Sequence, residues 1–234
     1  MTLSDPAKNL ACDEALLELC ESGGENGILR VWEPDNYFVV VGYSNKVSRE
    51  VNVAACQELA IPILRRFTGG GTVLQGPGCV NYTLAVRNEF AGIPADLTHS
   101  YRFVLGRHLT AFASYVAEPI EIQGISDLVT TGRKFSGNAQ HRKRRCSLYH
   151  GTILLRFDIA VMEKFLPMPS KEPGYRRGRS HATFLSNLSV TSIEAREALR
   201  RAWRAEEELQ GVPSAEIDQL VRERYSRSEW NFKY

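Results

Sequence analysis

Between residues 120 and 157 the chain carries four short β-like segments, Ile120–Ile122, Asp127–Thr131, Lys134–Gln140 and Ser147–Phe157, separated only by glycines and one basic turn. Connections this short join antiparallel neighbours, because a parallel crossover needs a dozen residues or more. The stretch therefore reads as an antiparallel meander. Upstream, Ile28–Trp32 and Tyr37–Val41 read as two strands joined into a hairpin by the turn formers Glu33-Pro34-Asp35-Asn36, and Cys79–Val86 reads as another strand. Helical spacing marks an amphipathic opening helix over Asn9–Cys20, stopped by Ser22-Gly23-Gly24, a short helix over Val53–Leu59 and a long one over Leu97–Val116. Two charged helical stretches, Ser192–Gln210 and Pro213–Tyr225, follow the loop from Pro167 to Ser180. Helices and strands neither alternate strictly nor segregate, which predicts an α+β fold with a mixed, mainly antiparallel sheet and packed helices.

Composition removes several function classes. No apolar run approaches the roughly 20 residues of a membrane span, and the first residues lack a signal peptide's basic and apolar parts, so the chain reads as cytoplasmic with no membrane partner. The 29 Lys and Arg nearly balance the 27 Asp and Glu, which gives no reason to expect nucleic acid as a partner. The five cysteines, Cys12, Cys20, Cys56, Cys79 and Cys146, follow neither a disulfide nor a zinc pattern and read as small buried residues. Cys79 and Cys146 draw notice because they flank the motifs below.

Two constellations carry chemistry. In the first, the β-rich run Ile61–Phe67 empties into Thr68-Gly69-Gly70-Gly71-Thr72-Val73-Leu74, so that Arg65 and Arg66 stand beside a backbone with no Cβ in the way of an anion. The spacing matches neither a dinucleotide fingerprint nor a P-loop. A tight turn explains the glycines equally well, and the paired arginines tilt the reading towards binding. The second constellation is Asp127-Leu128, then Gly132-Arg133-Lys134-Phe135-Ser136-Gly137-Asn138-Ala139-Gln140, then His150-Gly151-Thr152. A lysine on a strand among small residues can point into a cleft and stabilise negative charge during acyl transfer. Asp127 can meet a cation or close a turn.

Together these segments resemble the lipoate-protein ligase family within the wider biotin and lipoate ligase group. The match rests on Arg65–Val73 with Asn81-Tyr82-Thr83, on Asp127-Leu128 with Gly132–Gln140, and on His150–Leu155, with weaker similarity at Asn9–Leu16 and Arg179–Leu188. The resemblance implies a class II aminoacyl-tRNA synthetase or biotin synthetase-like fold. It further implies that ATP and Mg2+ activate lipoate or octanoate as an acyl-adenylate, and that the acyl group then passes to a lysine of a lipoyl-acceptor domain. By position, Lys134 would be the catalytic cation. Arg65, Arg66, Gly69, Gly70, Gly71, Thr72, Val73, Leu74, Asp127 and Ala139 would hold the nucleotide or adenylate, with Asp127 near magnesium. Asn81, Ser136, Gly137, His150 and Gly151 would line the acyl pocket. His150 is left open between tuning the pocket, moving a proton and a structural role.

The chain departs from the family at Gln75-Gly76, where many members have His-Asp, and only about 45 residues follow the family core, too few for the accessory domain that many members carry. This predicts a short, single-domain member, with a catalytic domain over 1–190 and a helical extension over 191–234 packed on it, working alone or with a separate accessory protein. An octanoyltransferase drawing on acyl carrier protein is the nearest alternative. Related cysteine-dependent transferases place their nucleophile where this chain reads Glu121–Ser126, which holds no cysteine. Biotin ligation and a non-catalytic lipoyl-domain binder stand further off. The basic run His141–Arg145 reads either as a steering patch for an acidic partner or as a solvated turn.

Overall fold

The computed structural model describes residues 1–89 and 92–234. Its largest feature is a six-stranded sheet built from β1 (Gly27–Trp32), β5 (Cys79–Arg87), β9 (Cys146–Leu154), β8 (Arg133–Arg142), β7 (Asp127–Thr130) and β6 (Ile120–Gln123) in that order, every neighbouring pair antiparallel. The meander is therefore present as expected. A smaller sheet has the order β3 (Ile63–Arg65), β2 (Phe38–Val41), β4 (Val73–Gln75), with β2 parallel to β3 and antiparallel to β4.

The expected hairpin between residues 28 and 41 does not form. β1 pairs with β5 in the large sheet, while β2 lies at the centre of the small one. The reason is visible in the side chains: all four residues of Phe38–Val41 are buried, so this strand needs cover on both faces, which a two-stranded ribbon cannot supply. Pro62 sits just before β3, an edge strand, where its missing N–H costs nothing. The strand β4 follows the glycine loop directly and turns what reads as loop sequence at Val73 and Leu74 into the far side of the small sheet.

Helices α4 (Leu97–Ala113) and α7 (Ser192–Trp203) cover one face of the large sheet, packing Val104, Leu105, Phe112, Ala195, Ala198 and Leu199 against Tyr82, Leu84, Phe135, Tyr149 and Ile153. Thr191 and Glu194 form a capping box that starts α7. Helix α7 belongs to the same core as the strands. Helix α1 (Pro6–Glu21), capped by Asp5 with Pro6 in its first turn, lies against the other face. It is buried nearly all round rather than amphipathic, and the polar groups it carries inward are paired: Asp13 with Arg30, and Glu14 with Arg224 and the Tyr225 hydroxyl. The short helices α2 (Val47–Glu50), α3 (Val53–Glu58), α5 (Ile159–Phe165) and α6 (His181–Phe184) surround the small sheet, which buries a third cluster around Val39, Val41, Leu74 and Phe157.

The last segment runs through α8 (Ser214–Leu220), one π-helical turn (Val221–Tyr225) and α9 (Ser228–Asn231) back onto α1 and β3. Lys8 pairs with Asp218 at 2.8 Å, and the Asn231 side chain accepts the Arg65 N–H at 2.9 Å. Among the described residues no helix is long and apolar enough to cross a membrane.

Candidate active site

On β5 and β9 the side chains facing α1 and the small sheet are not uniformly apolar. Asn81 lies opposite Thr152, and Thr83 opposite His150, so four polar residues at alternate positions form a stripe on an otherwise buried face. Three of them, Asn81, His150 and Thr152, floor a cleft of about 590 Å³ between the two sheets. Leu10, Trp32, Val40, Val73, Leu74, Phe135 and Met162 supply much of its apolar wall.

Lys134 reaches the cleft because of an irregularity. The register of β7 against β8 shifts between Leu128 and Val129, so that Ser136 opposes Leu128 while Lys134 opposes Val129 and Phe135 is left between them. Phe135 enters the core and Lys134 lines the cleft, its ammonium 2.8 Å from Asp127 Oδ1. The Tyr175 hydroxyl donates to Asp127 Oδ2 at 2.7 Å, and burial, followed by the Asp127 charge, pushes the Tyr175 hydroxyl's pKa well up. Gly137 leaves room for this pair, since a Cβ would stand 2.7 Å from the Lys134 ammonium nitrogen and the lysine would have to shift. The strand is pinned from outside as well: the Ser186 N–H donates to the Lys134 carbonyl at 2.9 Å and Arg133 donates to the carbonyls of Ala182 and Leu185.

The glycine loop holds itself. Arg66 donates through Nε to Thr68 Oγ1 at 3.0 Å and through Nη2 to the carbonyls of Gly69 and Gly71, both at 2.7 Å. Burial lowers its pKa to about 10. Gly70 adopts φ +93°, and a Cβ there would meet Arg66 Nη2 at 2.8 Å. Asn45 donates to the Gly70 carbonyl at 3.1 Å. The carbonyls of the loop are thus occupied, whereas the N–H groups of Gly69, Gly70, Gly71 and Thr72 donate to nothing among the described residues. Arg66 Nη1 likewise makes no hydrogen bond there, and Arg66 lines the cleft.

Two further networks order the floor. Arg66 Nε donates to Thr68 Oγ1, which lies 2.7 Å from His150 Nε2, and His150 Nδ1 lies 3.1 Å from Asp13 Oδ2. The imidazole is thus held at both ring nitrogens, between the Thr68 hydroxyl and the Asp13 carboxylate. Asp13 also accepts from Arg30 at 2.9 Å and Thr83 at 2.6 Å. Separately, Gln75, Thr152 and Asn81 close a ring: Gln75 Nε2 donates to Thr152, Thr152 to Asn81 Oδ1, and Asn81 Nδ2 to Gln75 Oε1, at 2.6, 2.6 and 2.9 Å. Asn138 accepts from the Tyr82 hydroxyl at 2.8 Å and fills the space that a Cβ at Gly151 would need.

Of the residues singled out in the sequence, Lys134, Arg66, Gly70, Gly71, Thr72, Val73, Leu74, Asp127, Ala139, Asn81, Ser136, Gly137, His150 and Gly151 all line this one cleft. Arg65 and Gly69 do not. Arg65 is fully buried on the other side of its strand, and its guanidinium donates to the carbonyls of Gly42, Tyr43, Asn45, Trp230 and Asn231. Buried against five carbonyls and absent from the cleft lining, this guanidinium does not face a ligand in the cleft, contrary to its expected role. At Asp127, the residue expected near magnesium, both carboxylate oxygens are engaged, by an ammonium and a phenol. Asp13 and Tyr175 were not expected at the site, and Gln75 and Thr152, which stand in or beside the motifs, carried no assigned role. Asp13 had a signal, an aspartate four residues after Asn9 on an apolar helix, whereas Tyr175 sits in a Pro- and Gly-rich loop with nothing to mark it.

Comparison with known proteins decides the family. Residues 5–204 match the model of the lipoyl protein ligase A/B catalytic domain. The chain belongs to this family. An octanoyltransferase LipM of Brevibacillus brevis is 28% identical over 97% of this chain and 95% of its own length, and one of Bacillus subtilis is 28% identical over 98% and 95%. A bi-partite lipoate protein ligase of Thermoplasma acidophilum, described together with its E2 lipoyl domain, superposes with a TM-score of 0.81 at 22% identity, covering 99% of this chain and 93% of that one. The synthetase-like α+β fold is thereby shown, and the chain is an enzyme of the lipoyl- and octanoyl-transferring group. The ATP-dependent ligase reading from sequence is overturned, because the curated relatives that match over nearly their whole length are octanoyltransferases.

Proposed function

We propose that this chain moves an octanoyl-type acyl group from a carrier thioester, such as acylated acyl carrier protein, to the ε-amine of a lysine on a lipoyl-acceptor domain, without ATP. The observation that carries the reading is the cleft itself. It joins apolar walls that suit an alkyl chain to the Lys134–Asp127 pair, and none of the five cysteines lines it. The similarity to octanoyltransferases supports the acyl class.

Transfer in such a cleft is direct. The deprotonated amine attacks the thioester carbonyl, the carbon–sulfur bond breaks, and the proton released by the amine ends on the departing thiolate. Lys134, a quarter exposed, exchanges part of its bond to Asp127 for the oxyanion that develops on the carbonyl oxygen. Arg66 and the free N–H groups of the glycine loop support the thioester arm by charge and hydrogen bonding. Threonine and serine hydroxyls line the cleft at Thr72, Ser126, Ser136 and Thr152, yet none is hydrogen-bonded to a histidine that would activate it. Thr68, whose hydroxyl does meet His150, is 1% exposed and lies outside the lining.

The test is to mix the purified chain with octanoyl-acyl carrier protein and unmodified lipoyl domain in the absence of nucleotide. The expected result is an octanoylated acceptor by intact mass, at a rate that added ATP does not change. An acceptor left unmodified under these conditions would remove the transferase reading.

A further inference from the structure

Away from the cleft, Cys20 in the last turn of α1 and Cys146 at the first position of β9 bring their sulfur atoms to 2.8 Å. Both residues are buried, at 1% and 0% exposure. Their approach is held by backbone as well as by packing. The Glu21 carboxylate accepts the Arg145 and Cys146 N–H groups at 3.1 and 2.8 Å, which ties the end of the helix to the start of the strand. Cys12, Cys56 and Cys79 have no such sulfur partner among the described residues.

We propose that Cys20 and Cys146 form an oxidation site that a two-electron oxidant of the peroxide or small-disulfide class converts into a disulfide stapling α1 to β9. With hydrogen peroxide the balance is simple: two thiols lose their hydrogens, one sulfur–sulfur bond forms, the oxygen–oxygen bond breaks and two waters leave. The covalent separation is about 2.0 Å, so the bond closes with a movement of under about an ångström.

Two consequences follow from where the pair lies. Cys20 stands on the helix that carries Asp13 and Cys146 on the strand that carries His150, so the staple joins the two elements that the Asp13–His150 hydrogen bond already spans, without entering the cleft. The bond also closes a loop over a sequence separation of 126 residues, a strong constraint on the unfolded chain. Burial, the largest cause, pushes both thiols up, so few thiolates form in the closed state. Oxidation therefore proceeds through opening of the final helical turn, which ends at the exposed Ser22, Gly23 and Gly24. The reaction is slow but selective, because only this pair is positioned to trap an oxidised sulfur.

The experiment treats the folded full chain with hydrogen peroxide, or with oxidised glutathione, and maps disulfides by mass spectrometry without reduction. The expected result is one Cys20–Cys146 linkage, with titratable thiols in denaturant falling by two from the five of the reduced chain. The melting temperature rises by about 10 °C and returns on reduction. The variants Cys20→Ser and Cys146→Ser, made separately, lose both the linkage and the rise. A folded chain that keeps all five thiols, or that acquires glutathione adducts or sulfinic acids without this linkage, would overturn the proposal. So would a linkage that leaves the melting temperature unchanged. Neither readout depends on acyl transfer, so failure here leaves the transferase reading standing, and the reverse also holds.

Discussion

Arg66 and Lys134 line the same cleft on different terms. The arginine is 8% exposed, bonded to Thr68 and to the carbonyls of Gly69 and Gly71, so its loop is set before any ligand arrives. The lysine is held through one carboxylate, itself shared with Tyr175, on a strand that a bulge has turned towards the cleft. A cation whose bonds are spent on its own backbone shapes a site, whereas one with a single exchangeable partner can follow charge as it develops. On the proposed reading, the glycine loop is the frame and the β8 wall carries the chemistry.

The sharpest way to break this comparison is Lys134→Ala. Transfer should fall about 10³-fold in kcat while the melting temperature barely moves, measured by steady-state kinetics beside a thermal melt. Arg65→Ala should do the opposite. It strips the donor from five main-chain carbonyls and should cost about 3 kcal/mol of stability in a denaturant titration, with KM and kcat of the folded fraction near normal. Gly70→Val attacks the frame, because a branched side chain at φ +93° collides with Arg66. Here kcat/KM for the acyl donor should fall about 10²-fold, mainly through KM.

How much of this was legible in the sequence depends on separation along the chain. Asp127, Lys134, Gly137 and His150 lie within one meander, where local strand pairing fixes who faces whom, and the motif spacing already held them together. Arg65 looked like the twin of Arg66, yet alternation along β3 sends it the other way, to carbonyls about 165 residues later at Trp230 and Asn231. No local pattern announces a partner at that distance. The same applies to Asp13, whose bond to His150 spans 137 residues, and to the strand at Phe38, whose place in a second sheet is set by the burial of both its faces.

Smaller effects sharpen the comparison. Tyr175→Phe leaves Asp127 with Lys134 alone, tightening that pair, and should lower kcat about fivefold with little change in KM. His181, which lies in the segment that covers the β8 wall, is buried with its pKa lowered, first by burial, and its ring contacts the Pro167 carbonyl at 3.3 Å. The unfolded chain takes up the proton first, near the ordinary value of 6.5, so stability is lost as pH falls through that value towards the lowered folded one. Melting curves of the wild type should therefore drop more steeply below pH 6.5 than those of His181→Gln. Equal slopes would place His181 outside this response.

The most direct test of the account is the mass of the enzyme itself after rapid mixing with octanoyl-acyl carrier protein and no acceptor. Direct transfer at Lys134 predicts an enzyme that stays unmodified until the acceptor lysine is added. An acylated enzyme that forms at the rate of turnover and then passes its acyl group to the acceptor would contradict it.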